Sequence, residues 1–339
     1  MGLGQRATVA ALAVLLAVLL AVGGGACLPS DRSPYDLADG KLKIATTVSP
    51  ITSIVAGVVG DLADVRGVIP EGADSHTFEP PPSAAKVLAK ADVLFVNGLK
   101  LEDPTAQLAR TSMRKASELV ELGTRTIGPD QYIYDYSFPK AGGKPNPHLW
   151  TNPPYAKDYA RIVRDTVERR DPSHATAYEA NYERFAAQVD QLDQAMQAAS
   201  ATVPVRELLT YHDAYAYFAA HYGWTVIGAV QVSSFEDPTP KDIANLVRQV
   251  RDAKARAIFG SEVFPSKVLA EIGRETGVRY VDTLRDDDLP GRPGDPDHSW
   301  LGLMKYDFVT MVSSLGGDAG PLQAVPVATA TPDRAEYPE

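Results

Sequence analysis

The 339-residue chain contains one cysteine, Cys27, which excludes an intramolecular disulfide and leaves no Cys-x-x-Cys pair for a thiolate zinc cluster or a redox site. Positive charge is also scarce: 33 Lys and Arg stand against 43 Asp and Glu, for a net charge of −10, and no block of basic residues interrupts the sequence. Nucleic-acid binders carry a basic patch, so that class is excluded and cations are the expected partners. Long apolar runs are few. The one at the start, Ala7 to Val22, is shorter than the roughly 20 residues a spanning helix needs. What remains is a globular balance, 45% hydrophobic with 26 Gly and 26 Pro, at a length that suggests about two domains. Any metal site must draw on His, Asp or Glu.

The apolar run follows Arg6 and ends in Gly23-Gly24-Gly25-Ala26, the layout of an export signal over residues 1–26. Cys27 comes next. The stretch resembles a bacterial lipobox, in which cleavage before a cysteine is coupled to acylation of its thiol; Gly24 departs from the aliphatic residue usual there. A plain secretory signal or an uncleaved anchor is the alternative. Residues 27–40, polar and containing proline, read as a flexible tether between a lipid anchor and a folded body.

From Lys41 onward strand-like runs (KLKIATTV, ADVRGVI, ADVLFVNG) alternate with helix-like periods, the pattern of βαβ units and a parallel sheet. A second series, from RELLTYHD to VRYVDTL, repeats the first in order. The expected fold is therefore α/β with two similar lobes, residues 41–172 and 201–318, each a parallel sheet flanked by helices. Between them, residues 173–200 contain neither Gly nor Pro and carry Tyr178, Tyr182, Phe185, Val189, Leu192 and Met196 at spacings of three and four. That period predicts one long, rigid amphipathic helix joining the lobes. Residues 319–339 show no period and many Pro, Ala and Thr, so disorder is expected there.

Three of the six histidines fall after or between strand-like runs: His76 in SHTFEPPPS, His148 in NPHLWTNP and His212 in YHDAYAYF; Asp282 in RYVDTL follows a fourth strand in the same way. Four separate units thus supply the candidates, two per lobe. In open α/β sheets ligands sit beyond the carboxyl ends of the strands, so such loops from two facing lobes converge on one cleft. A histidine after a strand is as often a surface or hydrogen-bonding residue, and spacing by itself leaves both roles open.

The local sequences add to the spacing. SHTFEPPPSAAK, NPHLWTNP, YHDAYAYFAAHYGW and IFGSEVFPSKVLAEIGRETGVRYVDTL together resemble the metal-binding solute receptors of bacterial ABC importers, the cluster A-I or ZnuA/TroA-like family, over nearly the whole chain from Lys41 to Gly317. The resemblance implies a monomeric, membrane-anchored lipoprotein that binds a divalent metal in the inter-lobe cleft and delivers it to an ABC permease. It implies His76, His148, His212 and Asp282 as ligands. In the family the third position is His in the zinc branch and Glu in the manganese branch, and here it is His212. Three imidazoles and one carboxylate suit Zn²⁺, whereas Mn²⁺ prefers more oxygen donors. Residues 123–147, where many zinc receptors have a His-rich loop, contain no His, which keeps Mn²⁺ or Fe²⁺ as the alternative.

Four protein ligands close a zinc shell, while a catalytic site keeps a position open for water, so a receptor is expected rather than an enzyme. A secreted zinc hydrolase and a metal-dependent adhesin are the competing classes. Glu79 and Glu262 could accept hydrogen bonds from ligand imidazoles, or serve as caps or salt-bridge partners. Asp213 could cap the helix after His212. Asp286-Asp287-Asp288 reads as a solvated loop, Trp150 and Trp224 as core residues, and His174, His221 and His298 as ordinary histidines.

The cysteine reading predicts that Cys27→Ala moves the protein from the membrane fraction to the soluble extracytoplasmic fraction, since stable anchoring needs two acyl chains on that residue. Wild-type protein found in the soluble fraction with a free Cys27 thiol would count against lipidation.

Overall fold

A computed structural model describes Leu37 and residues 40–231, 238–261 and 266–327. The signal segment, Cys27 and most of the tether lie outside the described residues; Leu37, at the tether's end, is buried.

The short apolar runs become strands that bury both faces, as in β3, where all four residues are enclosed. The first half runs β1 (Leu42–Thr46), α1 (Ser49–Val59), β2 (Ala63–Gly67), α2 (Ala84–Lys90), β3 (Val93–Val96), α3 (Asp103–Ser112), β4 (Glu118–Glu121) and α4 (Leu122–Thr126). Its strands form a parallel sheet in the order β2-β1-β3-β4. Helices α5 (Pro153–Arg170) and α6 (Ala175–Ser200) follow. The second half runs β5 (Glu207–Thr210), α7 (Ala216–Tyr222), β6 (Thr225–Ala229), α8 (Pro240–Ala253), β7 (Ala257–Ser261), α9 (Lys267–Thr276), β8 (Arg279–Leu284), α10 (Trp300–Ser314) and α11 (Gly320–Gln323). Its parallel sheet has the order β6-β5-β7-β8, the same plan as the first. In each sheet the chain steps to one side of its first strand and then crosses to the other, which opens a crevice at the carboxyl ends of the strands.

Helix α6 is the predicted spine. Its 26 residues span roughly 39 Å at 1.5 Å each. Tyr178, Phe185, Val189, Leu192 and Met196 are buried as their spacing requires, and the helix packs on α1 and α5 of the first half and on α7, α10 and α11 of the second. Phe185 sits between the lobes. Its ring lies 5.7 Å from that of Trp300 and fills space left by Gly57, where a Cβ would come within 3.3 Å of it. Asn181 Nδ2 donates to the carbonyl of Val58 at 2.9 Å.

The chain after residue 318 departs from expectation. Gly320–Gln323 is helical, Leu322 and Val325 are buried, and Lys305 Nζ donates to the carbonyls of Gln323 and Val325. Two apolar side chains spaced by three residues are enough to dock this segment; residues 328–339 lie outside the described residues. Among the described residues no helix is long and apolar enough to cross a membrane.

Because Phe185 touches both lobes through one helix, Phe185→Ala is expected to cost about 3–5 kcal/mol, the range for emptying a large buried aromatic site. Urea unfolding measures it, and a loss below about 1 kcal/mol would mean that the spine is not packed as described.

Candidate metal centre

Each half of the fold contributes strand-end loops to one cluster. His76 lies on the loop between β2 and α2, where its backbone N–H donates to Asp74 Oδ1 at 3.0 Å. His148 precedes a 3₁₀ turn, Leu149–Thr151, and both its backbone N–H (3.0 Å) and its Nδ1 (2.9 Å) meet Asn146 Oδ1. His212 stands two residues past β5, and its Nδ1 meets Gln231 Oε1 just beyond β6. The three Nε2 atoms converge: 3.1 Å separates His76 from His148, 3.3 Å His76 from His212, and 2.8 Å His148 from His212.

Those contacts are not an ordinary hydrogen-bond network. An amide oxygen only accepts, so the bonds to Asn146 and Gln231 place a proton on Nδ1 of His148 and of His212, and a neutral ring then turns an Nε2 lone pair toward the cluster. Lone pairs facing one another repel unless a cation sits among them. Tetrahedral Zn²⁺ with Zn–N bonds near 2.05 Å spaces its nitrogens about 3.3 Å apart, close to the separations here. His76, His148 and His212 form the one group of three or more potential metal donors within mutual reach among the described residues.

The fourth expected position, Asp282, does not join them. Along β8 the burial does not follow the pleat: Val281 and Leu284, three residues apart, are buried and Asp282 is exposed, because the pairing with β7 slips by one residue between Val281 and Leu284. The strand runs two residues past Asp282, and the acid that reaches the cluster comes from the loop beyond: Asp286 Oδ2 lies 3.6 Å from His212 Nε2. Asp286 and Asp288 are buried, so the acidic run is not a solvated loop. It is tied to the first half. Gly72 N–H donates to Asp288 Oδ1 at 2.8 Å, Ser75 Oγ to Asp287 Oδ2 at 2.8 Å, and Trp150 Nε1 to the carbonyl of Asp286 at 3.0 Å. Behind it, buried Asp307 accepts from Arg285 N–H at 3.0 Å and from Tyr215 OH at 2.9 Å, joining the Asp286 loop to the His212 loop. The sequence signal for Asp286 was the acidic run itself.

The supporting residues also differ from expectation. Glu79 is exposed and Glu262 lies outside the described residues; the acceptors beside the imidazoles are the amides of Asn146 and Gln231. Asp213 does not cap α7. Its Oδ2 accepts from Ser137 N–H at 3.1 Å, and it pairs with Asp135, whose carboxyl is pushed up to about 8 by burial and by the Asp213 charge beside it. The bond from Ser137 to Asp213 links the 127–147 loop to the His212 loop. Trp150 packs edge-on against His148 at 5.0 Å, and Trp224 is buried. His221 and His174 pair with Asp193 and Asp171 away from the cluster; His298, buried, has Nδ1 at 3.1 Å from the carbonyl of Pro290.

Burial holds the imidazoles of His76 and His148 well below the usual 6.5, and the charge of His212 adds to this; Lys144 contributes at His76. His212 is raised: burial opposes its charge, but Asp286 and Asp287 outweigh it.

With this geometry the comparisons agree. The family model described as zinc-uptake complex component A, periplasmic, matches residues 44–314. The manganese-binding lipoprotein MntA of Halalkalibacterium halodurans is 27% identical over 304 residues, covering 89% of this chain and 96% of that protein. The iron-binding protein YfeA of Yersinia pestis is 25% identical over 289 residues, covering 85% and 90%. Among solved structures, the periplasmic zinc-binding protein TroA of Treponema pallidum superposes with a TM-score of 0.72 at 22% identity, covering 81% of this chain and 99% of that one, which supports the fold.

His212→Ala and Asp286→Ala are expected to lower zinc affinity by more than about 100-fold, and Gln231→Ala by the 10–100-fold typical of residues that orient ligands. Asp282→Ala and His221→Ala should leave it unchanged. Competition against a chelating dye reads all five, and a large loss at Asp282 would restore the sequence assignment. In the metal-free protein, His212 should take up its proton first as pH falls, above 6.5, with His76 and His148 neutral to lower pH; zinc affinity therefore drops as His212 protonates. Ring-proton chemical shifts follow each histidine. Joint titration of all three near 6.5 would contradict the burial argument.

Proposed function

The chain belongs to the zinc-uptake complex component A family, and from that premise we propose that it captures Zn²⁺ outside the cytoplasm through His76, His148, His212 and Asp286. Like the rest of its family it is a metal-binding receptor of an ABC importer and not an enzyme, and it works as a lipoprotein anchored at the membrane. Delivery goes to the membrane permease of that importer, with Cys27 as the acylated residue. The observation that carries the zinc reading is the convergence of three Nε2 atoms, with one carboxylate at 3.6 Å. Three imidazoles and a single carboxylate are a borderline donor set that closes a tetrahedron, which suits a d¹⁰ ion with no need of further oxygens.

Relatives named for manganese and iron favour a second reading, an Mn²⁺ or Fe²⁺ receptor. On that reading Asp287, next to Asp286 in the same loop, would have to turn from Ser75 and add oxygen donors. Release in either case rests on small displacements. The spine α6 is an unbroken helix packed on both halves, and such a helix resists bending, so the ligand loops are the parts that can yield.

The test is metal competition on the purified chain with a geometric readout. Zinc should displace manganese at equimolar concentration, and Co²⁺-loaded protein should show the intense visible bands of four-coordination. Manganese retained against zinc, or the weak bands of six-coordination, would overturn the zinc reading. Small-angle scattering of metal-free and zinc-loaded protein should differ little, and a large closure on loading would contradict the rigid spine.

A further inference from the structure

A cavity of about 250 Å³ opens beside the cluster, with His76 in its wall. At about 30 Å³ per water it has room for about eight waters, more than a metal ion needs to pass. Phe138 and Pro147 supply apolar wall, Ser137 lies at its side, and Lys100 and Lys144 supply its charge. Among the described residues lining it there is no carboxylate. The acids that reach the histidines, Asp286 and Asp287, come from the loop after β8, which does not line this cavity. A receptor for bare dications would be expected to line its opening with acids. Here the opening is positive, and a dication approaching by it meets two ammonium groups.

The lysine positions are built by the backbone. Leu99 and Lys100 are consecutive non-glycine residues in the left-handed region, with φ of 53° and 66°, just after Gly98 at 78°. Such conformations persist only where the surroundings hold them, and they gather at ligand sites. Leu99 is buried and anchors the turn, while Lys100 Nζ donates to the carbonyl of Gly143, at 3.3 Å, next to Lys144. The turn therefore carries one ammonium to the loop that carries the other.

We propose that this cavity holds a small organic polycarboxylate that accompanies the metal, its carboxylates paired with Lys100 and Lys144 and its inner end toward His76. The proposal rests on the metal-receptor reading and extends it to the form in which the metal is bound. Asp286 and Asp287 act on the cluster from the loop after β8, and the cavity itself carries only the positive charges of Lys100 and Lys144. A polycarboxylate offsets that charge where the protein supplies no acid. Its source is either a chelate that arrives with the metal or a free anion that joins afterwards.

The experiment uses tricarballylate, a tricarboxylate without the chelating hydroxyl, titrated calorimetrically into metal-free and zinc-loaded protein, and preformed zinc citrate titrated into metal-free protein. Wild type and the K100R/K144R variant should bind tricarballylate at least tenfold tighter than K100A/K144A, with the larger difference in the zinc-loaded form. Citrate retained with zinc after gel filtration identifies the chelate as the source; tricarballylate bound to zinc-loaded protein, with citrate left behind, identifies the free anion. Equal binding by wild type and K100A/K144A, or none by either, overturns the proposal. Zinc affinity in non-coordinating buffer is read separately: wild type that binds tricarballylate but not zinc would defeat the receptor reading and leave the anion site standing.

Discussion

Three imidazole Nε2 atoms held about 3 Å apart are the constraint around which the rest is arranged. Nothing in an apolar core would bring them together, because their mutual repulsion is relieved only by a cation. Each is held from behind. Asn146 grips His148 by its backbone and its ring, Gln231 grips the ring of His212, and a turn on Asp74 sets His76. Since the donors arrive on loops from both sheets, the cluster is also a seam: a cation seated there joins the two halves.

The seam has a second stitch, independent of the histidines. The Asp286-Asp287-Asp288 loop belongs to the second half by sequence but makes its hydrogen bonds with Gly72, Ser75 and Trp150 of the first. Trp300 continues the line, with its backbone N–H on Ser53 Oγ at 2.8 Å and its indole on the carbonyl of Trp150 at 3.0 Å. A glycine makes the approach possible: a Cβ at Gly302 would lie 1.9 Å from the carbonyl of Asp297. With α6 spanning both halves, the hinge typical of two-lobed receptors has no flexible crossover to act through. Metal exchange must then be local, in the loops that carry the donors.

Much of this arrangement was legible in the sequence, for identifiable reasons. The two sheets announce themselves by apolar runs that recur in the same order, and α6 by an uninterrupted three-four period. His76, His148 and His212 are legible through the segments around them, which resemble those of the metal receptors; their places after strands would fit a surface or hydrogen-bonding histidine as well. Asp282 misled because a strand's end cannot be read from apolar character alone. Thr283 and Leu284 extend β8, whose pairing with β7 slips by one residue between Val281 and Leu284, and Asp282 in that stretch is exposed. The buried acids after it read as solvated since their partners, Gly72 and Ser75, lie more than 200 residues away. Asp213 was misread in the same manner, as its partner Asp135 comes from the other half. Long-range pairing is what local pattern cannot see.

The choice of acceptors behind the imidazoles bears on what the site can hold and let go. A carboxylate behind a ligand histidine raises the basicity of the ring and strengthens its bond to the metal. Asn146 and Gln231 are neutral amides, which fix the tautomer without adding charge. The imidazoles therefore bind as modest donors whose protonation is already suppressed by burial at His76 and His148. An ion that depends on strong oxygen donation gains little from such a set, while a borderline ion that accepts three nitrogens is satisfied. The carboxylate that reaches the imidazoles is that of Asp286, on the loop most heavily tied across the seam. A small shift of that loop removes the one carboxylate and weakens the hold of all four donors together, so capture and release are governed by the same few hydrogen bonds to Gly72, Ser75 and Trp150.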